Sequence, residues 1–394
     1  MSTEWPEVKE MAATIVKDYL TGHWKSASPS NITVEKLKGG YSNLLYQITL
    51  PSIKNQNEKT DPNTVLLRIH RLNFGRYSSE QLITDSLVFM LMSERKLGPK
   101  LHGVFPGGRI EEYVPARSLS VSELGDPKIS SIIARKVAEI HSMNVPISKN
   151  PENLYDVMFK WLTALDKNWE QYRTEQTGHQ ILMDRFKSFD IFSEIKWLRE
   201  HLKQFNSAIV FSHNDLQEGN ILITHDSIDS NEPNLVFIDY EYCSYNYRGF
   251  ELANHFLEYT MKYNMKEYPH FEIDLSVYPS VEQQLAFIRE YLKTYNSLIH
   301  GITLEENRKD FSKIRGSQIS SEISTITPEE SRFLEEISNF RLLSHLLWGI
   351  WAATHSKIDI EFGYWDYAIQ RLNCYFETKE ELLNLQPMPK IKKL

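Results

Sequence analysis

The sequence predicts an α+β protein of two lobes, a small antiparallel sheet first and a larger, mainly helical part after it, on three observations. Strand-like segments crowd before residue 115, helical periodicity dominates beyond it, and 394 residues exceed what one hydrophobic core of ordinary size organises. The expected units are therefore residues 1–115 and 116–394.

From Ile32 to Leu50 the chain reads as a strand, a Gly39-Gly40 turn and a second strand, and Val65 to Ile69 reads as a third. The polar stretch 54–63 between them reads as a surface loop. Ser79 to Arg95 places Leu82, Leu87, Phe89, Met90 and Leu91 at helical spacing and stops at Leu97-Gly98-Pro99. A strand pair follows over Lys100 to Val114, and Pro115 breaks it. Beyond, Ile133, Val137 and Ile140 open a helical region, with helices expected around 153–172, 181–205, 281–300 and 329–352. One β-like stretch interrupts them from Ile209 to Phe237. There Ile221-Leu222-Ile223 and Leu235 to Ile238 flank the turn-rich Thr224 to Asn234, as in a hairpin with a long loop.

Composition narrows the partners. A net charge of -8, with no Lys/Arg block interleaved with aromatics, argues against a nucleic-acid partner held through its phosphates and is compatible with a small cationic substrate. The first residues lack a basic n-region and an apolar h-region, and the best apolar run, Leu342 to Thr354, is short and contains His345, so no stable membrane insertion is expected. Only Cys243 and Cys374 occur, too few for a disulfide framework. A cytoplasmic enzyme with two free thiols is the simplest expectation.

The chemistry concentrates in Ser212-His213-Asn214-Asp215-Leu216-Gln217-Glu218-Gly219-Asn220 and, after the hairpin, Ile238-Asp239-Tyr240-Glu241. Phosphoryl transfer needs a carboxylate beside the accepting hydroxyl and oxygen ligands that hold magnesium against phosphates. Asp215 fits the first role, and Asn220 and Asp239 fit the second. The five-residue step from Asp215 to Asn220 is that of the protein-kinase catalytic loop. A single His-Asn-Asp triplet is commonly only a capped turn, but the combination with Asp239 argues for chemistry.

On these residues the chain resembles the choline/ethanolamine kinase family, a branch of the kinase-like fold that includes aminoglycoside phosphotransferases. The resemblance spans Gly39 to Leu45, Ser93 to Leu101, His213 to Leu222, Ile238 to His255 and Ile360 to Tyr367. It implies a bilobal kinase-like fold with a five-stranded N-terminal lobe, ATP and Mg2+ used in the cleft between the lobes, and a homodimer. The implied reaction is phosphorylation of choline to phosphocholine, the first step of phosphatidylcholine synthesis. By the same resemblance Gly39, Gly40, Ser42 and Asn43 form the nucleotide loop, where missing Cβ atoms let backbone N–H groups approach phosphate. Arg68 holds phosphates with Asp85 as its helix partner, although a glutamate is the family's usual residue there. Glu112 and Val114 belong to the hinge that meets adenine, Arg117 contacts phosphate or ribose, and Gln217 lies beside the nucleotide.

A second constellation concerns the acceptor: Tyr242, Glu258, Tyr263, Trp348, Trp351, Phe362, Tyr364 and Tyr367. A trimethylammonium group offers no N–H donor, so cation–π attraction and dispersion must recognise it, with a carboxylate adding charge attraction. Tryptophans at helical spacing, such as Trp348 and Trp351, are more often core; the resemblance turns the reading toward an aromatic cage. Asp359, Glu361 and Asp366 are left unassigned. An ethanolamine or dual-specificity kinase is the nearest alternative. A catalytically inactive kinase-like binding protein is the alternative of another class, against which the intact Asp215, Asn220 and Asp239 weigh.

Overall fold

Apolar side chains on one face of three strands build the first sheet. Tyr46, Ile48, Val65, Leu67 and Ile110 point to one face and are 6%, 0%, 0%, 0% and 0% exposed, as a half-buried antiparallel sheet requires. In the computed structural model, which describes residues 4–37, 43–51, 62–70, 79–263, 265–301, 326–357 and 361–384, the chain separates into two compact units. One is Met1–Ser118 with Asn220–Glu241, the other Leu119–Gly219 with Tyr242–Leu394.

In the first unit, helix α1 (Glu4–Tyr19) precedes strands β1 (Thr33–Lys36), β2 (Asn43–Thr49) and β3 (Thr64–His70), helix α2 (Ser79–Glu94), and strands β4 (Leu101–Phe105), β5 (Gly108–Glu112) and β6 (Ala116–Ser118). The antiparallel sheet runs β1-β2-β3-β5-β4. Ala12, Val16 and Leu20 join its buried face in one core. Helix α1 has no counterpart in the expected elements, because much of its buried stripe is alanine, which barely registers as apolar periodicity.

The hairpin of β8 (Ile221–Thr224) and β9 (Leu235–Phe237) forms as expected, with Ile221 opposite Phe237. It groups with the first unit rather than with residues 116–394. The reason is β6, just past Pro115, which pairs antiparallel with β8 and makes a β6-β8-β9 sheet. Strand β7 (Ile209–Ser212), expected with the hairpin, instead pairs with β10 (Ser244–Tyr247) in the second unit.

The second unit is mainly helical. The 281–300 and 329–352 expectations correspond to Val281–Ile299 and Pro328–His355. The latter starts with Thr327 and Glu330 capping each other and Pro328 in the first turn. The single helices expected over 153–172 and 181–205 are each broken: Asn153–Lys167 gives way to Trp169–Glu175, and Gln180–Ser188 to Ile191–Lys203, where the Asp190 side chain caps the new start. Two further helices, Arg248–Glu258 and Tyr364–Asn384, lie against Pro328–His355. Every residue from Gly249 to Glu258 is buried, including the polar stripe Glu251, Asn254, His255 and Glu258, which faces other parts of the unit rather than water. No helix among the described residues is long and apolar enough to cross a membrane.

Candidate active site

Strand β7 delivers the candidate catalytic loop in the second unit. Past Ser212 the chain turns at Asn214, whose φ of 68° is left-handed, a conformation Asn tolerates better than most residues. The turn is held from both sides. The backbone N–H groups of His213 and Asn214 donate to the two carboxylate oxygens of Glu251 at 2.6 and 3.0 Å. The Asn214 amide donates to Tyr242 O and Ser244 Oγ, both at 2.9 Å, and accepts from Asn246 Nδ2 at 2.8 Å. Asn214 is thus a scaffold, and the half-buried Asp215 follows it on a constrained backbone. One turn after Glu251, His255 Nδ1 donates to Leu216 O at 2.9 Å and clamps the other side of Asp215. Burial would raise the Glu251 carboxyl, but the His141 hydrogen bond and charge and the His213 N–H more than offset it, and its pKa falls. Burial pushes His255 down, so it stays a neutral donor. Glu251 and His255 were not anticipated as site residues; their four-residue spacing inside the Ile238 to His255 motif was the available signal. Gln217 is half-buried in the same loop.

The first unit holds the expected phosphate and metal residues. Asn220 and Asp239 lie at one end of the β8–β9 hairpin, where Ile238 N–H donates to Asn220 O at 3.0 Å. Asp239 has φ 66° and keeps 32% of its side chain exposed, while Tyr240 beside it is buried against Gly98, where any Cβ would stand 1.8 Å from the tyrosine hydroxyl. The Arg68 guanidinium is 3.7 Å from Asp239 Oδ1. An amide and a carboxylate oxygen with an open carboxylate suit a hard cation, which needs its remaining ligands from phosphate and water. The residues therefore fit Mg2+.

The expected Arg68–Asp85 pair is corrected. Arg68 Nε donates to Glu111 Oε1 at 2.6 Å, Arg109 Nε meets the same oxygen at 2.7 Å, and Asp85 pairs with Arg109. Strand register explains the exchange: Arg68 faces Arg109 across β3–β5, and Glu111, two residues on, shares the face of Arg109. Burial opposes charge on Arg68, but Glu111 and Asp239 raise its pKa overall. Burial likewise favours a neutral Glu111, and the two guanidinium groups hold it ionised. Asn43 is buried and meets His70 Nδ1 at 3.0 Å. Glu112 closes β5, with its N–H donating to Lys100 O at 2.8 Å and its side chain accepting from Lys100 N–H at 2.9 Å, so its N–H is engaged within the sheet. Val114 is half-buried between β5 and β6. Arg117 is exposed and donates to Ser118 O at 3.1 Å, apart from the Arg68 cluster. Gly39, Gly40 and Ser42 lie outside the described residues.

The structure gathers all eight acceptor-site candidates within the second unit. Tyr242 meets Trp348 edge-on at 5.5 Å, Trp348 meets Trp351 at 5.5 Å, and Trp351 continues to Tyr364 at 6.1 Å. Phe362 touches Tyr364 and Tyr367 at 5.0 and 5.5 Å, and Tyr367 reaches Tyr263 at 6.3 Å. Phe271, unforeseen, backs Phe362 and Tyr367 at 5.3 and 5.0 Å. Leu342, Leu346 and Ile350 are 0% exposed and Tyr364 and Tyr367 are buried, whereas Trp348 and Trp351 keep accessible surface, as do Tyr242, Tyr263 and Phe362. Glu258 accepts from Tyr263 Oη at 3.0 Å. Burial pushes its carboxyl up to about 7 against the pull of Arg371 and Tyr263. Glu218 is also pushed up to about 7, by burial and by Glu258, and its Oε2 has no hydrogen-bond partner among the described residues. Two carboxyls close enough to repel each other thus stand with one buried guanidinium, a surplus of acid that a cation relieves.

The family described as Choline/ethanolamine kinase matches residues 34–376. Choline kinase alpha of Mus musculus is 36% identical over 397 residues, covering 96% of this chain and 82% of its own. A choline/ethanolamine kinase of Homo sapiens is 37% identical over 373 residues, covering 94% and 86%, and a probable ethanolamine kinase A of Dictyostelium discoideum is 31% identical, covering 93% and 91%. The crystal structure of a choline kinase from Cryptosporidium parvum, at 24% identity, gives a TM-score of 0.69 over 95% of this chain and 96% of that one, which shows the shared fold. A family match across most of the sequence, with relatives at 31–37% identity along nearly their whole length, establishes that this chain belongs to the choline/ethanolamine kinase family.

Proposed function

We propose that the protein transfers the γ-phosphoryl group of ATP to the hydroxyl of choline, giving phosphocholine and ADP. The observation that carries the choice of choline is the cluster of aromatics, several of them partly exposed, beside the buried Glu258 carboxyl, which suits a cation without N–H donors. Asp215 aligns the hydroxyl and takes its proton as the new O–P bond forms and the bond from the γ-phosphorus to the bridging oxygen breaks. Arg68, kept charged by Glu111, binds phosphate oxygens, and Asn220 and Asp239 hold Mg2+. When bound, the ion neutralises charge building on the phosphates. Glu251 and His255 keep the loop around Asp215 in shape, which is the preorganisation such a step needs.

Replacing Asp215 with Ala is expected to lower kcat by about 10²–10⁴; turnover near wild type would remove Asp215 from the mechanism. Trp348→Ala is expected to raise KM for choline roughly 2- to 30-fold, the equivalent of ~0.5–2 kcal/mol for one ring, with KM for ATP unchanged. Equal changes for both substrates would return Trp348 to a packing role. Ethanolamine is the second reading, favoured by the unpartnered Glu218 Oε2, an acceptor for the N–H of a primary ammonium. The ratio of kcat/KM on the two alcohols decides between them.

A further inference from the structure

Arg371 lies in helix Tyr364–Asn384 with 0% of its surface exposed. A buried guanidinium close to a pocket meant for a cation is costly and electrostatically unhelpful unless it is used. Its hydrogen bonds show a use. One arm donates from Nη1 to Tyr367 Oη at 3.0 Å. Tyr367 Oη lies 3.2 Å from Tyr263 Oη, which itself donates to Glu258 Oε2 at 3.0 Å. Because the Tyr263 proton is spent on Glu258, the Tyr367 proton must point to Tyr263. Every donor on this arm therefore runs from the guanidinium toward the carboxylate. The other arm donates from Nη2 to Ser344 Oγ at 2.8 Å, and Ser344 donates to Asn254 Oδ1 at 2.7 Å. That amide oxygen also accepts the Trp348 indole N–H at 2.8 Å.

The geometry points to Arg371 as a positioning residue for the amino-alcohol site, orienting the Glu258 carboxylate through Tyr367 and Tyr263 and the Trp348 ring through Ser344 and Asn254. This rests on the cage being the acceptor site. Arg371 touches no substrate itself; Tyr367 stands in the way, with the guanidinium carbon 5.6 Å from its ring centroid. Directed chains of this kind polarise one another, and a charged member strengthens each link. Removing the charge leaves Glu258 and Trp348 present but free to choose other rotamers, which weakens cation binding without touching the phosphate-binding residues of the other unit.

The test measures KM for choline and for ATP, and the melting temperature, in Arg371→Met, Arg371→Lys, Tyr367→Phe and Trp348→Ala. Losing a hydrogen bond to a charged group is expected to raise KM for choline about tenfold or more in Arg371→Met and about threefold or more in Tyr367→Phe, with KM for ATP held. Arg371→Lys, which keeps the charge, is expected to recover part of the loss. Should Arg371→Met fail to fold, Tyr367→Phe, which keeps the ring and removes only the bridging hydroxyl, decides. Choline KM unchanged in Tyr367→Phe or in a folded Arg371→Met, or a rise in both KM values together, overturns the proposal. If Trp348→Ala raises choline KM while the other variants do not, only the role of Arg371 is lost. If Trp348→Ala leaves choline KM unchanged, the cage reading itself is lost.

Discussion

At Glu218 and Glu258, burial decides the sign of the pH response. Both carboxyls are held near neutrality to about 7, so each passes from about one-tenth to about nine-tenths ionised between roughly pH 6 and 8. A cationic acceptor binds the ionised form better. KM for choline is therefore expected to fall several-fold over that interval, with KM for ATP much flatter, in steady-state kinetics at fixed ionic strength. A choline KM that rises with pH, or that tracks the ATP value, removes the carboxyls from acceptor binding. Glu218 sits inside the Asp215 to Asn220 segment and was legible as sequence, yet nothing in its spacing announced burial. Its neighbour Glu258 is forty residues away and meets it only through the fold.

At the scale of elements, β3 and β5 show why Arg68, the proposed phosphate-binding arginine, needs its sheet. Their register sets Arg68 opposite Arg109 and leaves Glu111 to bind both. Glu111→Ala removes the carboxylate that two buried guanidinium groups share, leaving Arg109 only Asp85 and Arg68 only the more distant Asp239, and is expected to cost up to about 3–5 kcal/mol in denaturant unfolding of the affected unit. Asp85→Ala, which leaves the Arg68–Glu111 contact in place, is expected to cost less and to spare KM for ATP. The reverse order would restore the Arg68–Asp85 pairing that sequence alone suggested. Arg109 and Glu111 were visible in the sequence as alternating charges on a strand, usually the sign of a solvated face. Only the helix α2 covering that face makes them a buried network.

For the whole molecule, three buried imidazoles and two buried carboxyls oppose each other. His141, His255 and His345 are pushed below their ordinary value chiefly by burial. They contribute stability that is present above an unfolded pKa of about 6.5 and is lost as pH falls. Glu218 and Glu258, raised in the fold, contribute with the opposite sign and lose stability as pH rises toward about 7. His70 is lowered as well, again chiefly by burial, so the imidazoles outnumber the two raised carboxyls and stability is expected to fall on acidification below about pH 6.5. Urea titrations at about pH 7 and about pH 5.5 measure it, and His345→Gln is expected to flatten the slope by removing one of the groups that takes up a proton on unfolding. A slope that is unchanged in this variant would show that His345 is not one of the groups responsible.

The sequence by itself determined the chemistry that is local along the chain. The spacing of Asp215, Asn220 and Asp239 is what the proposed phosphoryl transfer rests on, and the order of strands and helices follows from periodicities of two and 3.6. What lies between distant segments was decided by tertiary structure. By spacing alone Trp348 and Trp351 read more readily as core, and only the fold shows that they keep accessible surface where Leu342, Leu346 and Ile350 on the same helix keep none. The Glu251 clamp on the catalytic turn, the sharing of Glu111 by two arginines and the two arms of Arg371 each depend on side chains meeting across elements. A short-range pattern specifies which face a residue occupies, while burial and register select its partner.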